Sequence, residues 1–483
     1  MSTLYDKLRS YSNSDYYGFH MPGHKRRGIP AYDFGDGALP YEIDITEIEG
    51  FDDLHHPRGI LKSAQERAAE VYHADETHFL VNGSTVGILS AVCGVTEKGD
   101  TILVARNCHK SVYHAIYLNE LNPVYLYPDF DGKVNLNMQI RPQDVRDALE
   151  RYPDIRAVVI VSPTYDGVVS DVTAIAEAVH EKGLPLIVDE AHGAHFGFHS
   201  VFPENSNVRG ADIVIHSVHK TLPSLTQTAL LHMNGSRIDR DRVKGYLDML
   251  QTSSPSYVLM AAIDLCMEEL SNHADEMFGG YVKELCDVRK KLSGLKCLEL
   301  IRTECYDISK LIIFTGNREF TGQELYRRLL SEYHLQMEMA AGSYVLAMTS
   351  VSDTKEGLER LTNALFRIDN KTSFQKTEEC PGVRTIPRAE VVCNIADVRR
   401  KVRMGAAEPM LVPWEAAAGY VSAEYAYLYP PGSPLIVPGE RITEEAVRML
   451  CWYRDKGFSV EGLKRERYVE VLKIKREIQH GKL

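Results

Sequence analysis

The chain has 483 residues, of which 44% are hydrophobic and 25% are charged, so it can bury a large core and form two or three domains. Its net charge of -12 argues against nucleic acid as the main partner. The N-terminus has no apolar core of signal-peptide length, and no segment reaches the ~18 uninterrupted apolar residues of a membrane span. Nine cysteines without any Cys-x-x-Cys pair predict reduced thiols, and hence a cytoplasmic protein.

Short β-branched runs alternate with segments of helical period from about residue 77 to residue 231. Strands that are apolar almost throughout are buried on both faces, which predicts a mainly parallel sheet with crossover helices on both sides. Ligands of such sheets bind at the carboxyl ends of the strands. The runs are, in chain order, HFLVNG, STVGILSAVCGV, DTILVARN, IRAVVIVSP, VTAIAEAVHEKG, LPLIVDE and ADIVIHSVHK.

The second half of the chain predicts two smaller units. Residues 311–316 together with GQELYRRLLSEYH and YVLAMTSVSD indicate an α/β unit, and the polar stretch NKTSFQKTEECPG is typical of a linker. We therefore expect a large domain over 1–290, a small α/β domain over 291–370 and a C-terminal α/β domain over 371–483. The basic end, EGLKRERYVEVLKIKREIQHGKL, predicts a solvated amphipathic helix.

Two charged residues stand at the ends of apolar runs: Asp189 ends LPLIVD, and Lys220 closes SVHK after the next run. A desolvated lysine near other cationic groups has a lowered pKa, which frees its amine for Schiff-base chemistry. An aspartate at a strand end suits a helix cap, a metal ligand or the partner of a pyridinium nitrogen. Together the two residues match a pyridoxal phosphate site, in which the lysine holds the aldehyde and the aspartate keeps the ring an electron sink.

The phosphate of such a cofactor needs a cradle, and NGSTVGILSA at residues 82–91 offers one. It places a glycine turn and the hydroxyls of Ser84 and Thr85 at the start of a predicted helix, where free N–H groups and the helix dipole favour a phosphate. The alternative is a plain N-cap by one of the two hydroxyls. His109, after the run TILVA, could stack on a pyridine ring or be an ordinary surface histidine.

A run of histidines, HGAHFGFH, spaces His192, His195 and His199 like metal ligands. The run contains glycines and follows a strand, so its histidines do not share one helix face, and the only acidic residues nearby are Asp189 and Glu190. We therefore expect no metal here. A zinc site is the alternative if no cofactor binds.

Ten motifs extend this pattern over most of the chain: FHMPGHKRRG, DITE, DDLHHPRGIL, VNGST, RNCHKSV, SPTYDG, VDEAHGAHF, SVHKTLPSLTQ, QTSSPSY and YPPGSPLIVPGE. In this order they resemble the Orn/Lys/Arg decarboxylase family of fold type I pyridoxal phosphate enzymes. The set is highly specific, although each motif alone is weak. The resemblance implies an aspartate aminotransferase-like large domain with a mainly parallel sheet, a smaller α/β domain and a C-terminal decarboxylase domain.

The resemblance also implies a role for each matching position. Lys220 would hold the cofactor aldehyde, Asp189 would pair with the ring nitrogen, and His109 would stack on the ring. The residues implied to bind the cofactor are Ser84, Thr85, His109, Asp189, His192, Ser217, His219, Lys220 and Ser253.

The resemblance implies a catalytic role for four of these positions, and contact with the substrate for one further residue. Ser253 lies in the segment 252–254, which would complete the phosphate site of the neighbouring subunit, and Glu424, in SAEYAYLYPPG, would face the substrate side chain. The acid that protonates the α-carbon would be Lys220 or His219. The implied catalytic residues are Lys220, Asp189, His109 and His219.

The implied reaction is the α-decarboxylation of lysine, arginine or ornithine to cadaverine, agmatine or putrescine, in polyamine biosynthesis. The chain resembles the short form of the family, without an N-terminal receiver-like wing domain, which implies a homodimer or a dimer of dimers that shares its sites across the interface. Another fold type I enzyme, such as an aminotransferase, would bind the substrate carboxylate with an arginine, for which Arg302, Arg318 and Arg327 are candidates. A cofactor-binding regulator would have lost Lys220 or Asp189, and a metal-dependent hydrolase would use the histidine run.

Overall fold

The structure, a computed structural model, describes residues 3–14, 39–132, 136–316, 320–371, 385–428 and 433–474. The motif FHMPGHKRRG, Arg318 and the first four residues of YPPGSPLIVPGE lie outside these ranges. No helix of the described part is long and apolar enough to cross a membrane.

The first part of the chain alternates strands with helices. Its strands are β1 (Glu76–Leu80), β2 (Thr101–Ala105), β3 (Asn122–Leu126), β4 (Phe130–Asp131), β5 (Leu136–Asn137), β6 (Ile155–Val161), β7 (Leu186–Asp189), β8 (Ile213–His216) and β9 (Ala229–Met233). Its helices are α1 (Leu4–Ser12), α2 (Ile60–Tyr72), α3 (Gly83–Val95), α4 (Lys110–Leu118), α5 (Pro142–Arg151), α6 (Val172–His180), α7 (Val218–Thr221), α8 (Arg240–Leu250) and α9 (Tyr257–Leu292).

Seven of these strands form one sheet, in the order β1-β9-β8-β7-β6-β2-β3. All neighbours from β8 to β3 pair in parallel, and β9 runs antiparallel to both β8 and β1. Every residue of β7 and β8 is buried, as expected of strands covered on both faces. The predicted mainly parallel sheet is therefore confirmed, and β4 with β5 forms a separate antiparallel pair.

Helix α3 packs closely enough on this sheet to require a glycine at one position. A Cβ atom on Gly87 would lie 2.7 Å from Cδ1 of the buried Leu80 on β1 and 3.4 Å from Cγ2 of Ile215 on β8. The glycine therefore lets the helix rest directly on the strands, which fixes the position of the helix N-terminus above their ends.

The second part of the chain folds around a four-stranded antiparallel sheet in the order β10-β11-β13-β12, with β10 (Glu299–Leu300), β11 (Lys310–Phe314), β12 (Met339–Ala340) and β13 (Tyr344–Met348). The 36-residue helix α9 leads into it, and its own helices are α10 (Gly322–Tyr333) and α11 (Lys355–Lys371). We refer to residues 291–371 as the small unit. The domain limits at 290 and 370 stay a prediction.

The last part holds two three-stranded sheets, β14-β19-β15 and β17-β16-β18. We call residues 385–474 the C-terminal unit, and its core is built around the buried Trp414. Its strands are β14 (Ala407–Pro413), β15 (Val421–Ser422), β16 (Ala426–Leu428), β17 (Pro434–Ile436), β18 (Val460–Glu461) and β19 (Tyr468–Ile474), and its helices are α12 (Ile395–Arg403) and α13 (Glu444–Asp455).

The predicted C-terminal amphipathic helix is wrong over residues 461–474. Strand β19 pairs with β14 and β15 there, and it buries Val469 and Val471 in the core of the C-terminal unit. The alternation of buried and more exposed residues has period two, which is the period of a strand. Residues 475–483 lie outside the described part of the chain.

Candidate active site

A cavity of about 530 Å³ opens at the carboxyl ends of the parallel strands. All three parts of the chain line it, which is typical of enzymes whose sites lie between domains. The large sheet and its loops supply Ser84, Asn107, His109, Thr164, Tyr165, Asp166, Asp189, His192, His219 and Lys220, the small unit supplies Glu338 and Tyr344, and the C-terminal unit supplies Ser433, Tyr453 and Phe458, among others.

Asp189 and Lys220 reach this cavity from neighbouring strands. Asp189 is the last residue of β7, paired with Val161 of β6 and Ile215 of β8, and Lys220 lies in the helical turn α7 that directly follows β8. Asp189 is only 4% exposed, and its Oδ1 accepts a hydrogen bond from the Ala191 N–H at 3.2 Å. Because the two strands are parallel and adjacent, the carboxyl group of Asp189 and the amine of Lys220 lie at the same edge of the sheet.

Burial shifts both of these groups towards their neutral forms. Burial raises the pKa of Asp189, and the nearby Lys220 ammonium partly offsets that effect. Burial lowers the pKa of Lys220, and Asp189 acts in the opposite direction. The lysine amine is therefore closer to its nucleophilic, unprotonated form than a lysine in water.

His192 lies directly against this lysine. Lys220 Nζ donates to His192 Nε2 at 3.0 Å, and the imidazole ring packs on the ring of Tyr165 with a centroid distance of 4.5 Å. Burial, followed by the charge of Lys220, holds the pKa of His192 well below its usual value, so the ring is neutral. Its buried Nδ1 atom has no hydrogen-bond partner among the described residues.

The predicted phosphate cradle is an uncapped helix end. Helix α3 begins at Gly83, and its N-cap Asn82 makes no side-chain capping bond, so the alternative of a cap by Ser84 or Thr85 is wrong. Ser84 lines the cavity, whereas Thr85 is exposed and lies outside its lining. The buried Ser217 Oγ, at the start of α7, has no partner within the described chain.

The two remaining histidines of the prediction also line the cavity. His109 is the N-cap of α4, where its Nδ1 accepts from the Ser111 N–H at 3.3 Å. Burial, then the charges of Lys220 and Lys110, lower the pKa of His109 to about 4. His219 Nδ1 donates to the Thr228 carbonyl at 2.8 Å, and burial lowers its pKa. Both imidazoles are therefore neutral at pH 7.

The structure does not bring Ser253 to the cavity within one chain. Ser253 is exposed, and the preceding Thr252 donates its N–H to Oδ1 of Asn82 at 3.0 Å, beside the start of α3. The segment 252–254 thus lies next to the predicted phosphate cradle, on the surface of the chain.

The structure does not bring Glu424 to the cavity within one chain, and its predicted contact with the substrate stays a prediction. Both carboxylate oxygens already accept backbone hydrogen bonds inside the C-terminal unit, from the N–H groups of Glu470 at 2.7 Å and Lys464 at 3.0 Å. The side chain is 6% exposed and does not line the cavity. Glu424 therefore holds the loop before β19 in place.

The histidine run is divided among separate partners. His195 Nε2 lies 3.1 Å from Oδ1 of the buried Asp307, while His199 accepts from the Val201 N–H near the surface. The described residues contain no group of three or more His, Cys, Asp or Glu side chains placed to hold a metal ion.

Sequence reasoning missed the acidic and phenolic groups on the small-unit side of the cavity. Tyr165 donates its hydroxyl to the carboxylate of Glu338, which directly precedes β12. Tyr344 on β13 donates its hydroxyl to Asp166 Oδ1 at 2.6 Å, and burial raises the pKa of Asp166 to about 6. The motif SPTYDG contained two of these residues without indicating their partners, and nothing in the sequence around Glu338 marked it.

The C-terminal unit is tied to the large sheet by a buried ion pair. Arg106, after β2, is fully buried, and its guanidinium lies 3.0 Å from the Glu440 carboxylate, which is 2% exposed. The same guanidinium donates to the carbonyl of Pro434 at 2.5 Å, and Ser433 Oγ donates to the Asn107 carbonyl at 2.8 Å. The C-terminal wall of the cavity is therefore anchored where it meets the strand ends.

A larger cavity, of about 690 Å³, lies elsewhere on the large sheet and contains none of the predicted site residues. Its lining mixes acidic and basic side chains, including Arg58, Lys244, Glu76 and Asp248. The smaller cavity is the candidate active site because it alone joins Asp189 and Lys220 at the strand ends.

The sheet, the small unit and the position of the cavity define an α/β enzyme of fold type I. A structure described as SPT with PLP supports this class at a TM-score of 0.53 and 15% identity, over 64% of this chain and 76% of that one. The constitutive lysine decarboxylase of E. coli has a TM-score of 0.83 and 20% identity, over 97% of this chain and 82% of that one.

Two family models match the sequence: Orn/Lys/Arg decarboxylase, major domain, over residues 2–324, and the C-terminal domain of the same family over residues 386–457. The arginine decarboxylase of Bacillus subtilis is 33% identical, over 95% of this chain and 95% of its own length. The chain belongs to the Orn/Lys/Arg decarboxylase family. The family and the enzyme class predicted from the motifs, a decarboxylase of basic amino acids, are thereby confirmed.

Among the cavity-lining residues that the structure describes, none is an arginine. Arg302 lines a different cavity and Arg327 is exposed on α10, so neither of these two meets the expectation for an aminotransferase. Both Lys220 and Asp189 are present in the cavity, against the expectation for a regulator that has lost its catalytic groups.

Proposed function

We propose that this chain uses pyridoxal 5'-phosphate to remove the α-carboxyl group of arginine, with lysine and ornithine as the other candidate substrates. The observation that carries the proposal is the meeting of Lys220, Asp189 and His192 in one cavity at the strand ends. Arginine comes first because the Bacillus relative that matches along its whole length is named for that substrate.

The residues of the cavity fit this cofactor. The uncapped N-terminus of α3 offers free N–H groups and a positive dipole end to a phosphate, with Ser84 beside it. Ser217 Oγ and His192 Nδ1 are buried polar atoms without a partner in the described chain, and leaving such atoms unpaired costs about 1–3 kcal/mol each. His192 lines the cavity, so a ligand with oxygen acceptors there would give its ring a partner, whereas Ser217 is buried behind the lining at the N-cap of α7.

The chemistry that the cofactor supplies when bound is an electron sink for the pair left behind as carbon dioxide departs. Lys220, with its lowered pKa, would hold the aldehyde and later carry a proton to the α-carbon, a role for which His219 is the alternative. Asp189 would keep the ring nitrogen protonated through charge pairing. The neutral imidazole of His109 would stack on the ring without adding a competing positive charge.

Spectroscopy with product analysis tests this function. The purified protein, given pyridoxal phosphate, should show a visible absorbance band that Lys220→Ala abolishes, and it should convert arginine to agmatine faster than it converts lysine or ornithine. Lys182→Ala, on an exposed lysine of the same part of the chain, is the matched control and should keep both properties. A wild-type protein that gains no band and releases no amine would refute the proposal.

We further propose that the enzyme is a homodimer or a dimer of dimers, in which the segment 252–254 completes the phosphate site of the neighbouring subunit. The exposed position of this segment beside Asn82 supports the proposal. A role of the amine product in polyamine biosynthesis and a location in the cytoplasm complete the proposed function.

A further inference from the structure

The cavity needs a group that recognises the positive end of a basic substrate, and Glu424 does not reach it. Three described carboxylates line the cavity: Asp166, Asp189 and Glu338. Asp189 ends the strand next to Lys220 and belongs to the proposed cofactor site. Asp166 already accepts the Tyr344 hydroxyl at 2.6 Å, at the bottom of the small-unit wall. Of these three carboxylates, Glu338 is the one engaged neither by the proposed cofactor site nor by the Tyr344 hydroxyl.

The position of Glu338 is defined by a chain of contacts that begins at the reacting lysine. Lys220 lies 3.0 Å from His192, the His192 ring packs on Tyr165 at a centroid distance of 4.5 Å, and the Tyr165 hydroxyl donates to the Glu338 carboxylate. This wall runs from the reacting end of the cavity to the small unit. A substrate that reacts at Lys220 and extends along this wall would bring its side chain to Glu338.

The chemical state of Glu338 suits a cationic ligand. Its backbone N–H is fixed by the Leu346 carbonyl at 3.0 Å, at the start of β12, while its carboxylate is exposed to the cavity. Within the described chain, Glu338 forms no ion pair with a lysine, arginine or histidine, although its charge reaches Lys220 and opposes the effect of burial on the pKa of that lysine. Tyr165 occupies one oxygen only, so the group can still pair with an ammonium or, through two parallel hydrogen bonds, with a guanidinium.

We propose that Glu338 binds the cationic end of the substrate side chain, and that Tyr165 is a positioning residue that holds this carboxylate against the wall of the cavity. The inference rests on the proposed function, because it assumes a basic amino acid whose α-amine reacts at Lys220. It assigns substrate recognition to the small unit rather than to the C-terminal unit, where the sequence had predicted it.

Steady-state kinetics with a charged and an uncharged substrate test this assignment in the cofactor-loaded enzyme. Glu338→Gln should lower kcat/KM for arginine about 100-fold or more, because the bound substrate would cover this exposed carboxylate and the substitution would leave the covered guanidinium without its charged partner. The same variant should leave kcat/KM for norleucine, which has no side-chain cation, within about twofold of wild type. Tyr165→Phe should raise KM for arginine with little change in kcat. Glu332→Gln, on an exposed residue of α10, is the matched control and should match wild type on both substrates.

The visible absorbance band separates this inference from the proposed function. If the wild-type protein has the band and decarboxylates arginine, but Glu338→Gln loses activity equally on arginine and norleucine or loses none, the assignment of Glu338 is refuted while the proposed function stands. If Glu338→Gln does not fold, Glu338→Asp, which keeps the charge, should retain the preference for arginine over norleucine at a higher KM. Loss of that preference in a folded Glu338→Asp enzyme would also refute the assignment.

Discussion

The buried ion pair between Arg106 and Glu440 should contribute strongly to the attachment of the C-terminal unit. The pair is 3.0 Å apart, with side-chain exposures of 0% and 2%, so Glu440→Gln would leave a guanidinium buried without its counter-charge. Removing one partner of a buried pair costs about 3–5 kcal/mol. The lower end applies here, because Arg106 keeps its bonds to the Pro434 carbonyl and the Tyr113 hydroxyl. We therefore expect a loss of about 3 kcal/mol.

Tryptophan fluorescence provides a specific assay for this loss. The chain has two tryptophans, Trp414 and Trp452, and both lie in the C-terminal unit. Urea unfolding followed by this signal should show a lower midpoint for Glu440→Gln. The matched control is Glu390→Gln, which removes the exposed pair with Arg441 and should cost less than about 1 kcal/mol. If the two substitutions lower the free energy of unfolding equally, the buried pair does not stabilise the protein more than the exposed pair, and the prediction is refuted.

Three further experiments test other parts of the structure. Asp166→Asn should raise the unfolding free energy by about 1–2 kcal/mol at pH 8 but not at pH 3.5. The reason is that the pKa of Asp166 is raised from 3.8 to about 6 in the folded protein, so this carboxyl destabilises the fold as the pH rises through 6 and it ionises. An equal effect of the substitution at both pH values would contradict this. Gly87→Ala should cost about 1–3 kcal/mol in thermal unfolding by forcing a Cβ into Leu80, and an unchanged Tm would contradict the tight packing of α3. Lys220→Ala and Ser253→Glu chains should each be inactive alone. If sites are shared in a dimer, co-expression should restore about a quarter of wild-type activity, because about half of the dimers are mixed and each mixed dimer has one intact site. No recovery would exclude sharing through the segment 252–254.

The large sheet and the positions of Asp189 and Lys220 at its edge were predictable because both depend on local sequence. Runs such as LPLIVD and ADIVIH are apolar almost throughout, so they could be assigned as parallel strands covered on both faces. The carboxyl ends of adjacent parallel strands lie at one edge of a sheet, so the sequence predicts Asp189 and Lys220 at the same edge, and the parallel pairing of β7 with β8 agrees with this. The position of the cavity followed from the same rule.

The differences between prediction and structure have equally specific causes. In YVEVLKI the basic residues suggested a solvated helix, but the alternation that buries Val469 and Val471 marks a strand. Glu424 was assigned by its match to a family motif, and a motif gives no direction for a side chain that backbone amides hold inside its own unit. Glu338 and the ion pair of Arg106 depend on contacts between residues more than 170 positions apart, which no local pattern records.

The relation between the two sheets explains how groups so distant in sequence can act at one site. Lys310 on β11 is fully buried and lies 3.0 Å from Asp307, which in turn lies 3.1 Å from His195 of the large sheet. Burial opposes ionisation of Asp307, but Lys310 and His195 hold its pKa below its usual value, so this carboxylate is charged although it is buried. Lys310 Nζ also lies 3.4 Å from the carbonyl of His192. The small unit, and Glu338 with it, is thus fixed to the backbone of the residue that contacts Lys220, so the proposed recognition of the side chain and the proposed chemistry at the α-carbon would depend on the same contacts.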